Sequence, residues 1–361
     1  MKAIINSTAL GKQLQRVTPV VSKNTVLPIL SSVRLDFQKN KLTITATDLE
    51  TTIQTNVECD TKKPFTVLME FQDLANLCSK ISDQPITIEE TDNGVTIVTD
   101  NSKFKFVKSG EVAVFPSIPE DDYVFDYEAE SDFFWAMSCA NKCRSVDDLR
   151  ANMNAVCIEL KKDSMNIVST DAFVFYCKKF PIKSSKQISI MVCDKFINMI
   201  KSFPDGKISI GERFIKVQKE NEIIISRLKD AKFVNYEVIV PTNPVFNFKA
   251  NRKDFISSID LASVAANLTS KTCKVDFTDQ SQIKITSQDI DFGKDGEINF
   301  FAENSVDFAS VGINGSQMLK ILNLFDTETV EMQFETPQKI IAVKSSEEEN
   351  TLCLIQPVFV N

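Results

Sequence analysis

The sequence predicts an α+β fold made of three tandem copies of one unit, each with two helices and antiparallel strands. Three observations predict it. An amphipathic helical stripe recurs at a spacing of about 122 residues, a second stripe precedes each of these by about 62 residues, and a similar tetrad ends a strand between the two.

In chain order the leading stripes are Leu10, Leu14, Val17; Phe133, Met137, Ala140; and Phe255, Ile259, Ala262. Each falls at i, i+4, i+7, one buried face of a helix. The tetrads that follow are Ala46-Thr47-Asp48-Leu49, Ser169-Thr170-Asp171-Ala172 and Ser287-Gln288-Asp289-Ile290. The second stripes are Leu74, Leu77, Cys78, Ile81; Phe196, Met199, Ile200, Phe203; and Met318, Ile321, Leu322, Phe325. After each comes an alternating pair, Ile86 and Ile88, Ile208 and Ile210, Val330 and Met332, as in half-buried strands. Six helices are therefore expected, over 7–17, 70–81, 130–144, 193–203, 251–264 and 314–325. Chance aligns one stripe in a long chain; it does not align two helices, a strand and a turn three times.

Two proline-marked connections separate the units, Glu120 to Asp126 after Phe115-Pro116, and Pro241 to Asn247. The expected domains are 1–121, 122–243 and 244–361.

Composition narrows the function. The chain has 361 residues, 43% hydrophobic and 25% charged, ordinary for a globular protein and ample for several cores. No stretch approaches the roughly 18 apolar residues a membrane helix needs, and Met1 to Asn6 turns polar too soon for a secretory signal. A cytoplasmic protein with no membrane role is expected. The nine cysteines form no C-x-x-C pair, and Cys139 and Cys143 are expected to be buried thiols rather than half a metal site.

Histidine is absent, which removes Ser-His-Asp and Cys-His catalysis and His-ligated zinc. Only nine glycines occur, and none builds a phosphate cradle. Asp289 to Glu297 has the acidic density of a calcium loop, but its sixth position is Lys294, where such a loop needs glycine; an acidic hairpin turn is expected. No enzyme activity, cofactor or metal is expected.

At the level of motifs the chain resembles the β subunit of bacterial DNA polymerase III, the sliding-clamp family. The resemblance rests on Thr25-Val26-Leu27-Pro28-Ile29-Leu30-Ser31-Ser32 followed by Leu42 to Glu50, on Phe115-Pro116, on Lys229 to Tyr236, and on Gln356-Pro357-Val358. It spans the whole chain. It implies three clamp domains, a head-to-tail homodimeric ring around duplex DNA, and a role as the processivity factor that tethers a replicative polymerase. A heterologous interface that closes after two copies gives a ring rather than a filament. Phe104, Val264 and Ala265 are the interface candidates by position.

A net charge of −8 and a pI near 5.0 disfavour a generic DNA binder. A ring held topologically needs only weak, sequence-blind phosphate contacts, so distribution outweighs the total. The six expected helices together carry about +3, leaving about −11 elsewhere. The expected DNA contacts are Lys12, Arg16, Lys80, Lys142, Arg144, Lys195, Lys201 and Lys320 on helices, with Lys23 in a loop.

The family resemblance also implies an apolar pocket between the second and third domains for short linear motifs of polymerase and clamp loader. Carried over by position, it holds Arg150, Met153, Thr170, Ala172, Phe175 and Val234, with Ile239, Leu354, Gln356, Pro357 and Val358. The family usually reads T-D-G-H-R-L where this chain has Thr170-Asp171-Ala172-Phe173-Val174-Phe175, and its terminal methionines are replaced by Gln356 and Val358. A greasier pocket with specialised partners follows, as in a clamp from a phage or mobile element. The rival readings are a clamp-like scaffold that binds peptides without acting in replication, and an enzyme working on carboxylates or lysines.

Overall fold

The computed structural model describes residues 1–22, 26–92, 94–279 and 281–360. Among these, six α-helices occur: α1 Ser7–Val17, α2 Phe71–Lys80, α3 Ser131–Cys143, α4 Asp194–Ile200, α5 Arg252–Ser263 and α6 Gly315–Leu322. All six lie where the stripes place them, and Leu10, Leu14, Phe133, Met137, Phe255, Ile259, Met318 and Ile321 are essentially inaccessible to solvent. Asparagine starts three of them. The Asn6 side chain accepts the Ala9 N–H at 2.9 Å, Asn251 accepts those of Lys253 and Asp254, and Asn314 accepts that of Gln317 at 3.0 Å. Such a cap contributes about 1 kcal/mol by satisfying donors the helix cannot.

Two helices stop short of their expected ends. Pro204 disfavours the helical region at Phe203, so α4 closes at Ile200 and Phe203 turns back to bond the Ile200 carbonyl at 2.9 Å. At the end of α6 the Leu319 carbonyl accepts both the Asn323 N–H at 3.1 Å and the Asn323 side chain at 2.7 Å, and the Leu324 N–H turns back to Ile321 at 2.9 Å.

The strands described form four antiparallel sheets, and two of them run through more than one repeat. An eight-stranded sheet takes Phe125–Glu130, Asp205–Ile210, Phe214–Lys219 and Glu222–Arg227 from the middle repeat and continues into Thr51–Val57, Lys41–Thr47, Ser32–Gln38 and Phe65–Glu70 of the first. The junction pairs Ile224 with Ile53 and Ser226 with Thr51. A nine-stranded sheet likewise joins Val174–Pro181 of the middle repeat to Thr351–Ile355 of the third, pairing Val174 with Ile355 and Phe175 with Leu354.

The chain accordingly clusters into two compact units, Met1–Phe134 with Asn198–Leu228, and Trp135–Ile197 with Lys229–Asn361. The middle repeat supplies strands to both. A sheet edge left open would cost unpaired backbone groups, and fusing edges between repeats satisfies them.

Within the first unit α1 packs on α2 and on the strands Lys41–Thr47 and Thr51–Val57. Within the second, α5 packs on α6 and on Gln282–Asp289 and Lys294–Phe301. Gly315 permits that close approach: a Cβ there would lie 2.9 Å from Ser263 Oγ. Below α5 the rings of Phe248, Phe255, Phe277 and Phe300 meet with centroids 5.3–6.2 Å apart, an arrangement that adds to plain area burial.

Candidate functional sites: helix faces, a hairpin tip and two sheet edges

Each helix buries an apolar face, and the expected cations on the outward faces divide by what they touch there. Lys12, Lys80, Lys142 and Lys201 are exposed. Lys12 belongs to a groove of about 650 Å³ that Gln13, Thr55 and Lys219 also line.

Arg16 is engaged differently. Its guanidinium grips Glu222 at 2.9–3.1 Å through both nitrogens and lies 5.5 Å from the Phe203 ring centroid. Arg144 departs furthest from the expected role. It donates to Asn141, the Ser145 carbonyl and Asn154, pairs with Asp194 at 3.1 Å, and is only 14% exposed. A guanidinium so saturated positions the end of α3 and has few donors left for a phosphate. Lys320 pairs with Asp171 at 3.3 Å, and Lys195 is half-buried. Lys23 lies outside the described residues.

The expected peptide-pocket residues all fall in the second compact unit, around the turn that joins Ser164–Thr170 to Val174–Pro181. The turn is built by two short side chains. Thr170 Oγ1 donates to the Val174 carbonyl at 2.7 Å and accepts the Ala172 N–H, while Asp171 Oδ1 accepts the N–H groups of Phe173 and Val174 at 2.9 Å each. Ala172 takes a φ of 81°, the left-handed region that glycine normally fills. Arg150 reaches the Asp171 carbonyl at 3.4 Å and pairs with Asp147. Gln356 donates its backbone N–H to the Phe173 carbonyl at 3.0 Å, and Val358 bridges to Gly312 at 2.8 Å. Hairpin tip and C-terminal segment are thus brought together.

Not every residue of the set faces outward. Phe175 and Leu354 are 2% exposed and belong to a core with Cys157, Val168, Met191 and Phe233. Phe175 packs on Tyr236 with centroids 5.2 Å apart. Burial, and a hydrogen bond to Glu159 at 2.6 Å, raise the Tyr236 hydroxyl above the usual tyrosine range. Thr170 is buried and builds the turn. These three support the site from beneath; Ala172, Ile239 and Gln356 are exposed, and Met153, Val234, Pro357 and Val358 are half-buried.

Sequence reasoning left exposed apolar residues out of the set, among them Phe173, 51% exposed at the turn's tip, and Val146 and Leu149 beside Arg150 in sequence, 84% and 94% exposed. Only Phe173 had a sequence signal, as the aromatic standing where the family pattern has histidine.

The interface candidates lie at sheet margins. Phe104, 37% exposed, is on Lys103–Phe106, an edge strand of a five-stranded sheet in the first unit. Val264 is 75% exposed just past α5, and the Ala265 methyl lies 3.0 Å from where a Cβ on Gly296 would stand, behind the edge strand Lys294–Phe301. The opposite edge of that sheet, Ser310–Asn314, is bridged by Val358 at Gly312, where a Cβ would strike the Val358 carbonyl at 2.3 Å.

None of the nine cysteines is joined in a disulfide. Cys139 and Cys143 are fully buried, and burial pushes the Cys143 thiol up to about 12. Among the described residues no group of three or more His, Cys, Asp or Glu is placed to hold a metal. The acidic 289–297 segment is a hairpin with Asp289 paired to Lys294 and a turn at Gly293, whose φ is +60°.

Three profiles of the DNA polymerase III beta subunit match this chain: the N-terminal domain over residues 1–119, the central domain over 140–235 and the C-terminal domain over 237–358. The beta sliding clamp of Buchnera aphidicola is 22% identical over 375 residues, covering 98% of this chain and 99% of the relative. That of Escherichia coli K12 is 20% identical over 373 residues, covering 99% and 100%. The crystal structure of a sliding clamp, DNA polymerase III subunit beta, from Pseudomonas aeruginosa bound to griselimycin superposes with a TM-score of 0.93 at 20% identity, over 100% of both chains. The Thermotoga maritima beta subunit gives 0.86 at 17%, again over 100% of both.

Proposed function

The chain belongs to the DNA polymerase III beta subunit family, and from that premise we propose that it is a sliding clamp, a non-enzymatic ring that encircles duplex DNA and tethers a replicative polymerase. The observation that carries this reading is the full-length triplication of a two-helix unit whose helices each bury one apolar face against the fold. Domains 1–121, 122–243 and 244–361 are its three units, and a soluble subunit of this kind works in the cytoplasm. No helix among the described residues is long and apolar enough to cross a membrane.

One copy offers three units, and a head-to-tail homodimer offers six, enough to surround a duplex. The edge strands Lys103–Phe106 and Lys294–Phe301 suit that closure. Lys103 and Lys105 share one face of the first, while Asp295 and Glu297 share one face of the second. Phe104 alternates with the lysines and Ile298 with the acids. Antiparallel addition of one edge to the other pairs unlike charges and apolar side chains together, with Val264 and Ala265 behind the joint.

DNA contact falls mainly to the exposed Lys12, Lys80, Lys142 and Lys201, with Arg16, Lys195 and Lys320 sharing their charge with protein groups. Short linear motifs of the polymerase and of the clamp loader dock at Phe173, Ala172, Ile239 and Val358, with Arg150 at the margin.

The test is retention. Labelled protein is placed by a clamp loader on nicked circular plasmid at high salt, and half the sample is linearised. Loss from the linear form alone is expected. Equal loss from both forms would sink the clamp reading and leave a peptide-binding scaffold with the same fold. Light scattering tests the ring separately: a species of only 40.6 kDa at micromolar concentration would rule out the dimer.

A further inference from the structure

The chain contains a single tryptophan, Trp135, and it is 42% exposed on α3. The neighbours Phe133, Phe134, Ala136, Met137, Cys139 and Ala140 are all fully buried, so the core of this helix is complete without it. An outward helix face in water ordinarily carries polar side chains. Here the outward row is Trp135, half-buried Ser138 and exposed Lys142, with the lysine Nζ 5.4 Å from the indole centroid. The acid of α3, Asp132, sits in its first turn, where it suits the helix dipole; Lys142 is in the last.

We propose that Trp135 and Lys142 form a contact for single-stranded DNA, in which the indole stacks on an unpaired base and the ammonium meets the adjoining phosphate. The inference rests on the clamp reading only in taking α3 to face the DNA. Chemistry chooses the strand state. Bases within a duplex are stacked on both faces, and a ring fixed on a helix reaches one only by unstacking it. An unpaired base offers a free face to any aromatic ring without regard to sequence. Lysine beside tryptophan supplies the charge that a chain of net −8 does not supply in bulk. The ligand class is therefore the unpaired template strand next to a primer end, or any single-stranded gap.

Because the indole is alone, its fluorescence reports on this contact directly. Full-length protein is titrated at low salt with an oligothymidylate of about twenty residues, with a primed template, and with a blunt duplex of equal length. Quenching by the first two and little by the third is expected. Anisotropy of labelled oligothymidylate should show Trp135→Ala weakened on the order of tenfold, the effect of losing one base stacked on an aromatic ring. Trp135→Phe should retain most of the affinity, and Lys142→Ala should flatten the salt dependence. Unchanged emission with the oligonucleotide, equal quenching by blunt duplex, or full affinity in Trp135→Ala would each overturn the proposal. If Trp135→Ala does not fold, the wild-type quenching and Trp135→Phe still decide. Retention on closed circles is read separately, so a failure here leaves the clamp reading intact.

Discussion

Where the first repeat joins the second, Arg227 donates its backbone N–H to the Glu50 carbonyl at 2.8 Å; where the second joins the third, Gln356 donates to the Phe173 carbonyl at 3.0 Å. The turns behind the two acceptors are built alike. Thr47 bonds the Thr51 carbonyl as Thr170 bonds that of Val174, and Asp48 accepts the N–H groups of Glu50 and Thr51 as Asp171 accepts those of Phe173 and Val174. Leu49 and Ala172 share a positive φ, 77° and 81°. The tips differ. Glu50 stands 3.9 Å from the Arg227 guanidinium, charge answering charge in water, whereas Phe173 presents half its ring to solvent. One scaffold therefore makes a seam whose tip sets an ion pair beside Leu49, 47% exposed, and a seam whose tip carries an aromatic ring, 51% exposed; the second offers a peptide the larger apolar surface.

The largest effect should separate what lies under the second seam from what lies on it. Phe175→Ala removes a ring that is 2% exposed and packed on Tyr236, and should cost about 3–5 kcal/mol in urea unfolding. Phe173→Ala should stay within about 0.5 kcal/mol of wild type yet lose binding of a polymerase-derived peptide. If both variants lose stability equally, the tip is part of the core and the contrast between seams fails.

A smaller effect is expected at the second aspartate. Asp171→Ala loses two backbone hydrogen bonds, which should cost roughly 1–2 kcal/mol. It also loses the Lys320 pair at 3.3 Å, 35% exposed on the lysine and 20% on the aspartate, and Lys320→Ala should account for less than about 1 kcal/mol of the cost. No loss in thermal unfolding of Lys320→Ala would mean that Lys320 contributes nothing to the seam and is free for DNA.

The fold was legible because burial imposes a period. Leu74, Phe196 and Met318 recur in step since each must be buried, whereas the Asn caps that start three helices were not read from the sequence. Side-chain destinations were less legible. Arg16 and Lys12 lie four residues apart on one helix, but only the structure shows Glu222, far along the chain, gripping the first and not the second. Phe175 and Phe173 differ by two positions and are equally aromatic, yet the strand pairing of Phe175 with Leu354 puts one in the core and leaves the other at the tip. The third tetrad shows the limit of pattern reading. Asp289 occupies the same place as Asp48 and Asp171, but it is 1% exposed, receives Asn267 at 3.4 Å, and its second oxygen has no partner among the described residues. There the chain runs straight on into a longer hairpin, Gln282–Asp289 paired with Lys294–Phe301.

Glycine at the two left-handed positions gives a finer comparison. Leu49→Gly and Ala172→Gly each relieve a crowded Cβ at some cost in unfolded-state entropy, leaving a net gain of about 0.5–1 kcal/mol. Ala172 has only a methyl to lose, whereas Leu49 is 47% exposed and gives up about half its burial, which offsets its gain. A clear gain in melting temperature at Ala172→Gly, with Leu49→Gly smaller by the lost burial, would fit equivalent backbones; no gain at Ala172→Gly would break the equivalence on which the comparison stands.

The smallest expected effect is the most discriminating. Glu50 and Arg227 are 66% and 54% exposed, and such a pair contributes less than about 1 kcal/mol. Glu50→Ala should therefore leave stability within about 0.5 kcal/mol in denaturant titrations at moderate salt. The backbone bond from Arg227 and the pairing of Ile224 with Ile53 hold that seam without the tip. The same independence at the second seam is what lets Phe173 stand exposed without loosening the sheet. A loss above about 1.5 kcal/mol in Glu50→Ala would show that tip residues are structural at both seams, and Phe173 would then be a support of the fold rather than a surface kept for a partner.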